Sequence, residues 1–373
     1  MKKISVITLH RVKNYGSVLQ TYATQVVFEK LGCTVTFVDF WRKDLIDDKL
    51  LRNAPTASHM WNKNFVTRMI YKLARRITTL KKIKVFNSFI NDNIKITQQR
   101  YYSIDELQQN PPEADVYCTG SDQTWNSDYN GGILTPYFLE YAPEKKPCIA
   151  YSASFGKNDL DNWEVEDTKK LLQKYSAIST REKSGVDILQ NLGLEGIQLL
   201  DPSLALSLDE WKTIISKPLF YKKYMLIYQL NKSKDFDLYV EKIAKKKGIP
   251  LIRIGVYPGQ VLQPGKMIYI PSVEDFLSLF YYAEFVITDS FHGTAFSINF
   301  NKKFAVIYPP KYSTRLQSIL QLTGLENHVV RDYNDFSCFD KEIDYQKVNT
   351  ILKEERNKVK VFLLEALNLK IEN

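Results

Sequence analysis

The sequence has few residues of the kinds that form disulfides or bind metals. It contains four cysteines and four histidines among 373 residues. The cysteines are scattered without a CxxC pair, so they predict neither a disulfide scaffold nor a thiol-based metal site, and they favour a reduced cytoplasmic protein. No segment approaches the roughly 18 apolar residues of a membrane span. The apolar run near the N-terminus is also too short for a signal-peptide core.

Several motifs that would indicate a particular chemistry are missing as well. The sequence has no GxxxxGK[ST], GxSxG or HExxH pattern, and no GxGxxG follows a predicted strand. These absences disfavour a P-loop nucleotidase, a hydrolase with a nucleophile elbow, a zinc peptidase and a dinucleotide-dependent enzyme. We therefore expect no metal and no cofactor.

The positive charge is confined to one segment of the chain. The net charge is +9, from 51 basic and 42 acidic residues. Ten basic residues and one acidic residue, Asp92, lie between Lys63 and Arg100. The remainder of the chain is therefore neutral, which argues against nucleic acid as a partner.

Short buried runs alternate with helical periodicities along most of the chain. The first unit is a strand at Ile4–Leu9, a helix that ends at Gly32 and a strand at Val35–Phe40. Such a unit predicts parallel strands joined by a right-handed crossover. Residues 45–100 interrupt the alternation as a basic helical excursion of one or two helices.

Two such series, separated near residues 205–220, predict an α/β protein with two Rossmann-like lobes. We assign residues 1–205 to an N-terminal lobe that includes the excursion and residues 206–345 to a C-terminal lobe. Residues 346–373 are predicted to form a terminal helix. Ligands bind such sheets at the carboxyl ends of the strands, which here is the cleft between the lobes.

Two predicted strand-end loops in the first lobe concentrate polar groups. The loop His10–Ser17 precedes a helix, where Asn14, Gly16 and the helix N-terminus favour an anion. The alternative is a plain helix cap by Asn14 or Ser17. The loop Thr119–Asn126 is either a turn stabilised by its own polar side chains or a sugar-binding loop that uses Asp122, Gln123, Trp125 and Asn126.

Two further loops carry an arginine and a histidine. Arg181, at a strand end before a helix, can hold a carboxylate or phosphate in bidentate fashion, or it can form a surface pair with Glu182. His292 lies at a predicted strand-to-helix junction between Ser290 and Gly293 and suits proton transfer near neutral pH. A structural histidine explains that pattern equally well.

Six motifs occur in an order that closely resembles the bacterial polysaccharide pyruvyl transferases. The resemblance runs from about residue 5 to 325, and each motif lies at a predicted strand end or at the boundary between the lobes. Each motif alone is modest, but six in order are specific. They are Asn14–Gln20, Gly120–Asn126, Ser152–Gly156, Arg181–Gly185, Leu200–Ser203 and Asp289–Phe296.

The resemblance implies two lobes arranged as in the B-type glycosyltransferases, with the terminal helix returning to the first lobe. It also implies an activity. Such enzymes transfer the enolpyruvyl carbons of phosphoenolpyruvate onto two hydroxyls of a sugar as a cyclic ketal and release phosphate. The expected acceptor is a sugar, lipid-linked or free, in a surface or capsular polysaccharide precursor.

The resemblance links His292 to donor binding and catalysis, and we assign it as the acid that protonates the donor. Asp122 is assigned as base or as a sugar-orienting group. In several relatives Arg-Leu precedes this histidine, whereas Ser290 and Phe291 precede it here, so Arg315 is the candidate for the missing charge. The predicted donor-binding residues are Arg181, Arg315, Ser290, Gly293, Asn14 and Gly16, and the predicted acceptor-binding residues are Gln123, Trp125 and Asn126.

Two other functions are compatible with the same fold, because fold alone does not determine activity. One is a B-type glycosyltransferase that uses a nucleotide sugar. The other is a non-catalytic glycan-binding relative.

The basic segment 63–100 also has two interpretations. Its apolar and basic residues fall on opposite helical faces. Either the apolar face packs on the first lobe and the basic face is solvated, or the segment docks electrostatically on an anionic membrane or on the diphosphate of a lipid-linked acceptor. The apolar face consists of Val66, Met69, Ile70, Leu73, Ile77 and Leu80, and the other face of Arg68, Lys72, Arg75, Thr79 and Lys82.

Overall fold

Buried apolar runs in the first half of the chain form a seven-stranded parallel sheet. The computed structural model describes residues 1–47, 65–309 and 313–370. The strand order is β3-β2-β1-β4-β5-β6-β7. The strands are β1 (Lys3–Ile7), β2 (Thr34–Phe40), β3 (Ile96–Tyr101), β4 (Val116–Thr119), β5 (Cys148–Ala153), β6 (Tyr175–Thr180) and β7 (Ile197–Gln198). The helices of this lobe are α1 (Tyr15–Lys30), α2 (Phe65–Asn93), α3 (Ile104–Gln109), α4 (Ser127–Asn130), α5 (Val165–Leu172) and α6 (Lys183–Asn191).

The second half builds a five-stranded parallel sheet with the order β10-β9-β8-β11-β12. The two short helices α7 (Pro202–Ala205) and α8 (Leu208–Trp211) precede it. Its strands are β8 (Met225–Tyr228), β9 (Leu251–Gly255), β10 (Lys266–Tyr269), β11 (Phe285–Thr288) and β12 (Lys303–Val306). The remaining helices are α9 (Lys234–Lys247), α10 (Val273–Tyr281), α11 (Phe291–Asn299), α12 (Thr314–Thr323) and α13 (Tyr345–Ala366). The two sheets confirm the predicted pair of Rossmann-like lobes.

Each sheet reverses its strand order next to its first strand. The reversal lies between β1 and β4 in the N-terminal lobe and between β8 and β11 in the C-terminal lobe. The crevice at the carboxyl ends of strands at such a point is the usual ligand site of open α/β sheets. The topology therefore directs attention to the loops that follow β1, β4, β8 and β11.

Local hydrogen bonds explain where the helices at these crevices begin. Asn14 caps α1, since its side chain accepts a hydrogen bond from the Ser17 backbone N–H at 2.8 Å. Ser290 caps α11 in the same way, with Gly293 N–H as the donor at 3.3 Å. Such caps satisfy backbone donors that the first helical turn leaves unpaired.

The lobes are joined by aromatic packing and by the terminal helix. Tyr15 of α1 stacks on Phe276 of α10 with ring centroids 4.1 Å apart, and its hydroxyl donates to the Pro271 carbonyl at 2.7 Å. From α13, Arg356 Nε donates to the Leu204 carbonyl at 2.9 Å. Contacts of both kinds fix the orientation of the lobes around the cleft.

The prediction of a helical excursion over residues 45–100 is wrong at the C-terminal end of this range. Residues Ile96–Tyr101 form β3, which pairs with β2 at the edge of the sheet. Strand β10 is a second edge strand that the sequence analysis did not predict. Within the described residues one helix, α2, forms the excursion, whereas residues 48–64, which include Lys63, and the side chain of Val66 lie outside them.

Helix α2 turns its apolar stripe to solvent, which overturns the prediction that this face packs on the first lobe. The stripe residues are between 48% and 62% exposed. The opposite face meets the second lobe, where the Thr78 hydroxyl hydrogen-bonds the Tyr269 hydroxyl and Lys81 donates to the Tyr269 carbonyl. None of the described helices has both the length and the apolar character needed to cross a bilayer. The exposed stripe consists of Met69, Ile70, Leu73, Ile77 and Leu80.

Candidate active site

The loops after β4 and β6 meet the start of α7 around one buried guanidinium. Arg181 donates from Nη1 to Asp201 Oδ2 at 2.8 Å and from Nη2 to Asp122 Oδ1 at 3.1 Å. Its Nε lies 3.8 Å from Glu182 Oε2, and its side chain is fully buried. A buried charge is stable only with such partners, so Arg181 fixes the three loops relative to one another.

Asp122 occupies an unusual backbone conformation after β4. Its φ of +81° lies in the left-handed region, which costs a non-glycine residue of order 1–3 kcal/mol. One carboxylate oxygen accepts from Arg181, and the other accepts from Ser17 Oγ at 2.6 Å. Burial would raise the pKa of Asp122, but the charges of Arg181 and His292 outweigh this effect and lower the pKa to about 2.

Asp201 belongs to the site, although the sequence analysis did not select it. It caps α7, and its Oδ1 accepts from the backbone N–H and the hydroxyl of Ser203 at 2.9 and 2.6 Å. Its Oδ2 accepts from Arg181 and, at 3.1 Å, from Ser121 Oγ. The Asp-Pro pair at 201–202 was the available signal, because Asp before a proline at the first helical position is typical of a helix cap.

Glu182 is interior, so the alternative of a surface Arg–Glu pair is wrong. Its Oε1 accepts from Ser154 Oγ at 2.8 Å and from the backbone N–H groups of Phe155 and Gly156 at 3.0 and 3.1 Å. These bonds connect the loop after β5 to the loop that carries Arg181. Glu182 thereby supports the position of the guanidinium.

The imidazole of His292 reaches from the second lobe onto the first. A Cβ atom at Gly16 would lie 2.1 Å from its Nδ1, so the ring rests on the backbone of α1 where only glycine leaves room. Its Nε2 is 3.9 Å from Asp201 Oδ1 and has no hydrogen bond to any described residue. Burial lowers the pKa of His292 to about 4 despite the opposing charge of Asp201. The imidazole is therefore neutral near pH 7.

Arg315, at the start of α12, carries a second guanidinium of this cluster, and its side chain is partly buried. Among the described residues its Nε has no hydrogen bond, and no carboxylate lies within ion-pair distance of it. Its Cζ lies 5.7 Å from the ring centroid of Phe291, whose ring also faces Arg181 at 5.1 Å. Burial and the neighbouring charge of Arg181 lower the pKa of Arg315 to about 10, so it remains a cation at neutral pH.

Arg315 borders a cavity of about 190 Å³ beyond the carboxyl end of β11. This volume exceeds by more than tenfold the roughly 10–15 Å³ that a single water needs, so a small anion fits. Asp289 closes one side, because its carboxylate accepts from the backbone N–H groups of Leu230 and Asn231, each at 2.7 Å. Ser290, predicted as a donor-binding residue, also lines the cavity.

The predicted acceptor residues are placed in the interior, contrary to the expectation that they face a sugar. Trp125 is only 3% exposed, its indole N–H donates to the Tyr137 carbonyl at 3.1 Å, and its ring stacks on Phe138. Asn126 caps α4 and donates to Gln123 Oε1 at 2.7 Å. These contacts stabilise the loop that carries Asp122, which explains why an aromatic and two amides are present in it.

The two predicted donor glycines and Asn14 also have structural roles. A Cβ atom at Gly293 would lie 2.3 Å from Thr288 Oγ1, so this glycine allows α11 to pack closely on the end of β11. Gly16 accommodates His292, and Asn14 is the cap of α1. The structure thus brings His292, Asp122, Arg181 and Arg315 together. Gly16, Gly293 and Asn14 support the elements that carry these four residues.

Comparison with known proteins identifies the family. The family model for polysaccharide pyruvyl transferase matches residues 14–310, a range that contains every residue of the site except Arg315. The chain belongs to the polysaccharide pyruvyl transferase family. A search of curated proteins finds no match for it.

Solved structures share the fold of this pyruvyl transferase family member at low sequence identity. The S. aureus MnaA–UDP complex superposes with a TM-score of 0.55 at 13% identity and covers 100% of this chain and 99% of its own. A protein described as a UDP-N-acetylglucosamine 2-epimerase from Listeria monocytogenes gives 0.54 at 10% identity, with 99% and 97% covered. These similarities confirm the predicted B-type arrangement of two lobes.

Replacing Gly16 by alanine should displace the His292 imidazole, because the new methyl carbon would lie 2.1 Å from Nδ1. We expect transferase turnover to fall by about 100-fold, a loss that a misplacement of about 1 Å can cause. Gly259→Ala is the matched control, since the nearest atom to its Cβ would be 3.8 Å away in Tyr257.

The effect of Gly16→Ala should depend on His292. In a His292→Ala background the glycine substitution should cause no further loss of turnover. Additional loss in that background, or full turnover of the single variant, would contradict the role of this contact.

Proposed function

We propose that this transferase moves the pyruvyl group of phosphoenolpyruvate onto two hydroxyls of a sugar in a surface or capsular polysaccharide precursor. Beyond the family, the observation that supports this donor is the Arg315 guanidinium, which forms no ion pair among the described residues and borders a small cavity. A cation without an ion-pair partner at a cavity suits an anionic ligand. No cofactor is required for this chemistry.

The proposed reaction has three balanced steps. The donor methylene carbon gains a proton and becomes a methyl group, and one sugar hydroxyl adds to the adjacent carbon and loses its proton. The carbon–oxygen bond to phosphate then breaks with both electrons going to phosphate. The second hydroxyl adds to the resulting oxocarbenium carbon, loses its proton and closes the ketal. The sum is phosphoenolpyruvate plus diol giving ketal plus phosphate.

His292 is proposed to supply the first proton, and it must acquire that proton when the donor binds. The free imidazole is neutral because burial holds its pKa at about 4. The negative charges of a bound donor favour the imidazolium, so donor binding raises this pKa toward neutrality. Nε2 is buried and has no hydrogen bond to any described residue, and we propose that it is the atom that faces the bound donor.

The two arginines are proposed to have different tasks. Arg181 donates its Nη hydrogens to carboxylates of the protein. Of the two arginines predicted to bind the donor, we therefore propose that only Arg315 does so. Asp122, with a pKa of about 2, is a weak proton acceptor. We therefore propose that it orients the site through Ser17 and Arg181 and is not the base.

Donor-induced thermal stabilisation separates the proposed function from its alternatives. Phosphoenolpyruvate should raise the unfolding midpoint, because a ligand that binds only the folded state stabilises it, and UDP-sugars should not. Phosphate should be released when a sugar acceptor is added. Stabilisation by UDP-sugars with no effect of phosphoenolpyruvate would favour the glycosyltransferase, and no phosphate release with any acceptor would favour the glycan-binding relative.

Substitution of Arg315 by alanine should weaken the donor affinity by about 10- to 100-fold, since a hydrogen bond to a charged group contributes about 1.5–3 kcal/mol. Arg315→Lys should restore it only in part, because a lysine lacks the planar guanidinium fork. Lys183→Ala is the control, since that lysine is exposed and pairs with Asp187. Isothermal titration calorimetry measures the affinity, and unchanged affinity in both Arg315 variants would contradict the assignment.

Donor binding should be coupled to proton uptake through His292. At pH 7.5 we expect the wild type to take up a substantial fraction of one proton per donor and His292→Gln to lack this component. The uptake should grow as the pH is lowered toward 6.5, because the pKa of the bound state lies above that of the free state. Calorimetry in buffers of different ionisation enthalpy measures it, and equal proton uptake by both proteins would exclude His292 as the acid.

We further propose that α2 places this enzyme at the cytoplasmic face of an anionic membrane, where a lipid-linked acceptor is available. The exposed stripe Met69–Leu80 is flanked by the exposed side chains of Arg68, Lys72 and Arg76. Lys82 instead borders a small cavity between the lobes. Basic residues near an anionic surface contribute about 1 kcal/mol each, and an apolar helical face inserts at the headgroup boundary. The contact therefore has an apolar component that the sequence-based electrostatic interpretation lacked.

Vesicle co-sedimentation distinguishes the two components of this contact. Arg68→Gln/Lys72→Gln/Arg76→Gln should lose binding to anionic vesicles at low salt, and Met69→Ser/Leu73→Ser/Ile77→Ser should lose the binding that persists at high salt. Ile197→Ser/Leu238→Ser is the control, because both residues are exposed outside α2. Both α2 variants should process a lipid-linked acceptor more slowly and a soluble sugar normally. Equal sedimentation of the wild type and both α2 variants would contradict the proposal.

A further inference from the structure

A cleft of about 810 Å³ opens in the N-terminal lobe at the carboxyl ends of β2 and β3. Its volume lies within the range of ordinary ligand sites. The cleft is on the same edge of the sheet as the candidate active site, and β2 and β3 are one and two strand spacings from β1, roughly 5 and 10 Å. It therefore lies beside the active site and is separate from the 190 Å³ cavity at Arg315.

The wall of this cleft is rigid because one arginine connects its parts. Arg42 forms an ion pair with Asp44, and its Nη1 donates to Asn130 Oδ1 at 2.6 Å. The same guanidinium lies 5.7 Å from the ring centroid of Tyr129. These contacts hold the Tyr129 ring in place, and a ring that is already fixed loses little conformational freedom when a ligand stacks on it.

The wall is also connected to the loop that carries Asp122. Asn130 Nδ2 donates to the backbone carbonyls of Gln123 and Thr124 at 3.2 and 3.0 Å. The backbone N–H of Tyr129 itself donates to Asn126 Oδ1 at 2.9 Å. Tyr129 therefore lies at the junction between the cleft and the catalytic cluster.

The chemistry of the cleft suits a neutral polar ligand. Two tyrosines, Tyr129 and Tyr102, are 37% and 39% exposed. The lining carries the cations Arg42 and Lys43 and the carboxylates of Asp44, Asp105 and Asp128. Arg42 pairs with Asp44, and Asp128 pairs with Lys157 at 3.1 Å. A nucleotide or phosphate would need an excess of cations, which this lining lacks, whereas the exposed phenol rings and polar groups match the apolar face and the hydroxyls of a sugar.

We propose that this cleft binds the saccharide part of the acceptor, with Tyr129 stacking on the sugar next to the reacting hydroxyls. The inference rests on the proposed function only for the identity of the reacting sugar. In this proposal the cleft supplies the acceptor contacts that the sequence analysis had assigned to the interior residues Trp125 and Asn126. Tyr129 is thus a binding residue that determines acceptor affinity and does not affect the donor.

Saturation-transfer NMR with methyl glycosides of glucose, galactose, mannose and N-acetylglucosamine tests the cleft without turnover. At least one glycoside should receive saturation from the wild type. Tyr129→Ala should reduce this signal at least tenfold, and Tyr129→Phe should retain most of it if stacking is the main contact. Tyr221→Ala is the matched control, because that tyrosine is 92% exposed and does not line the cleft. A far-UV circular dichroism spectrum of Tyr129→Ala that matches the wild type shows that the variant is folded.

The outcomes separate this inference from the proposed function. Equal glycoside signals in the wild type and Tyr129→Ala would contradict the proposal that the cleft binds a saccharide, and so would the absence of any glycoside signal with the wild type. Both conclusions hold whether or not phosphoenolpyruvate stabilises the protein. A signal that depends on Tyr129 in a protein that phosphoenolpyruvate does not stabilise would support the cleft and reject the pyruvyl donor.

Discussion

The fully buried guanidinium of Arg181 must be neutralised by the protein itself, and the N-terminal half of the active site is arranged around this requirement. Asp122 supplies one carboxylate in spite of its left-handed backbone, and Asp201 supplies the other from the cap of α7. Loss of one partner from such a buried pair costs about 3–5 kcal/mol. Because Asp122 also binds Ser17 and Asp201 lies beside His292, the same neutralisation positions α1 and the imidazole.

The two arginines of the cluster differ in their surroundings, which separates a structural role for Arg181 from the ligand-binding role proposed for Arg315. The Arg181 guanidinium has carboxylates around it, so it is rigid and contributes orientation. Arg315 is partly buried and has no carboxylate within ion-pair distance in the described residues, so the charges of Asp122, Glu182 and Asp201 act on it only from farther away. A cation without a close carboxylate can pair with an anion supplied by a ligand. Under the proposed function, Arg315 is therefore the arginine that contributes binding energy for the donor.

Sequence patterns were sufficient to predict the two lobes and to select four residues that the structure brings together, but they did not predict the direction in which side chains point. The apolar run of β5 and the periodicity of α1 identify buried elements directly, and parallel topology then brings the strand-end loops together. Strand β3 was missed because ITQQRY is a polar edge strand. Trp125 was misassigned because its partners, Tyr137 and Phe138, come from a later loop that only the fold brings near.

The contact between His292 and Gly16 links the chemistry to the relative motion of the lobes. The imidazole is carried by α11, whereas Gly16 and Asp201 belong to elements that precede the second sheet. Any rotation that opens the cleft would lift the ring from the glycine and separate it from Asp201 in one movement. Under the proposed mechanism, protonation of the donor requires the closed state, and an open enzyme would admit substrates without hydrolysing the donor. Opening of the lobes to release products would then be the step that limits turnover.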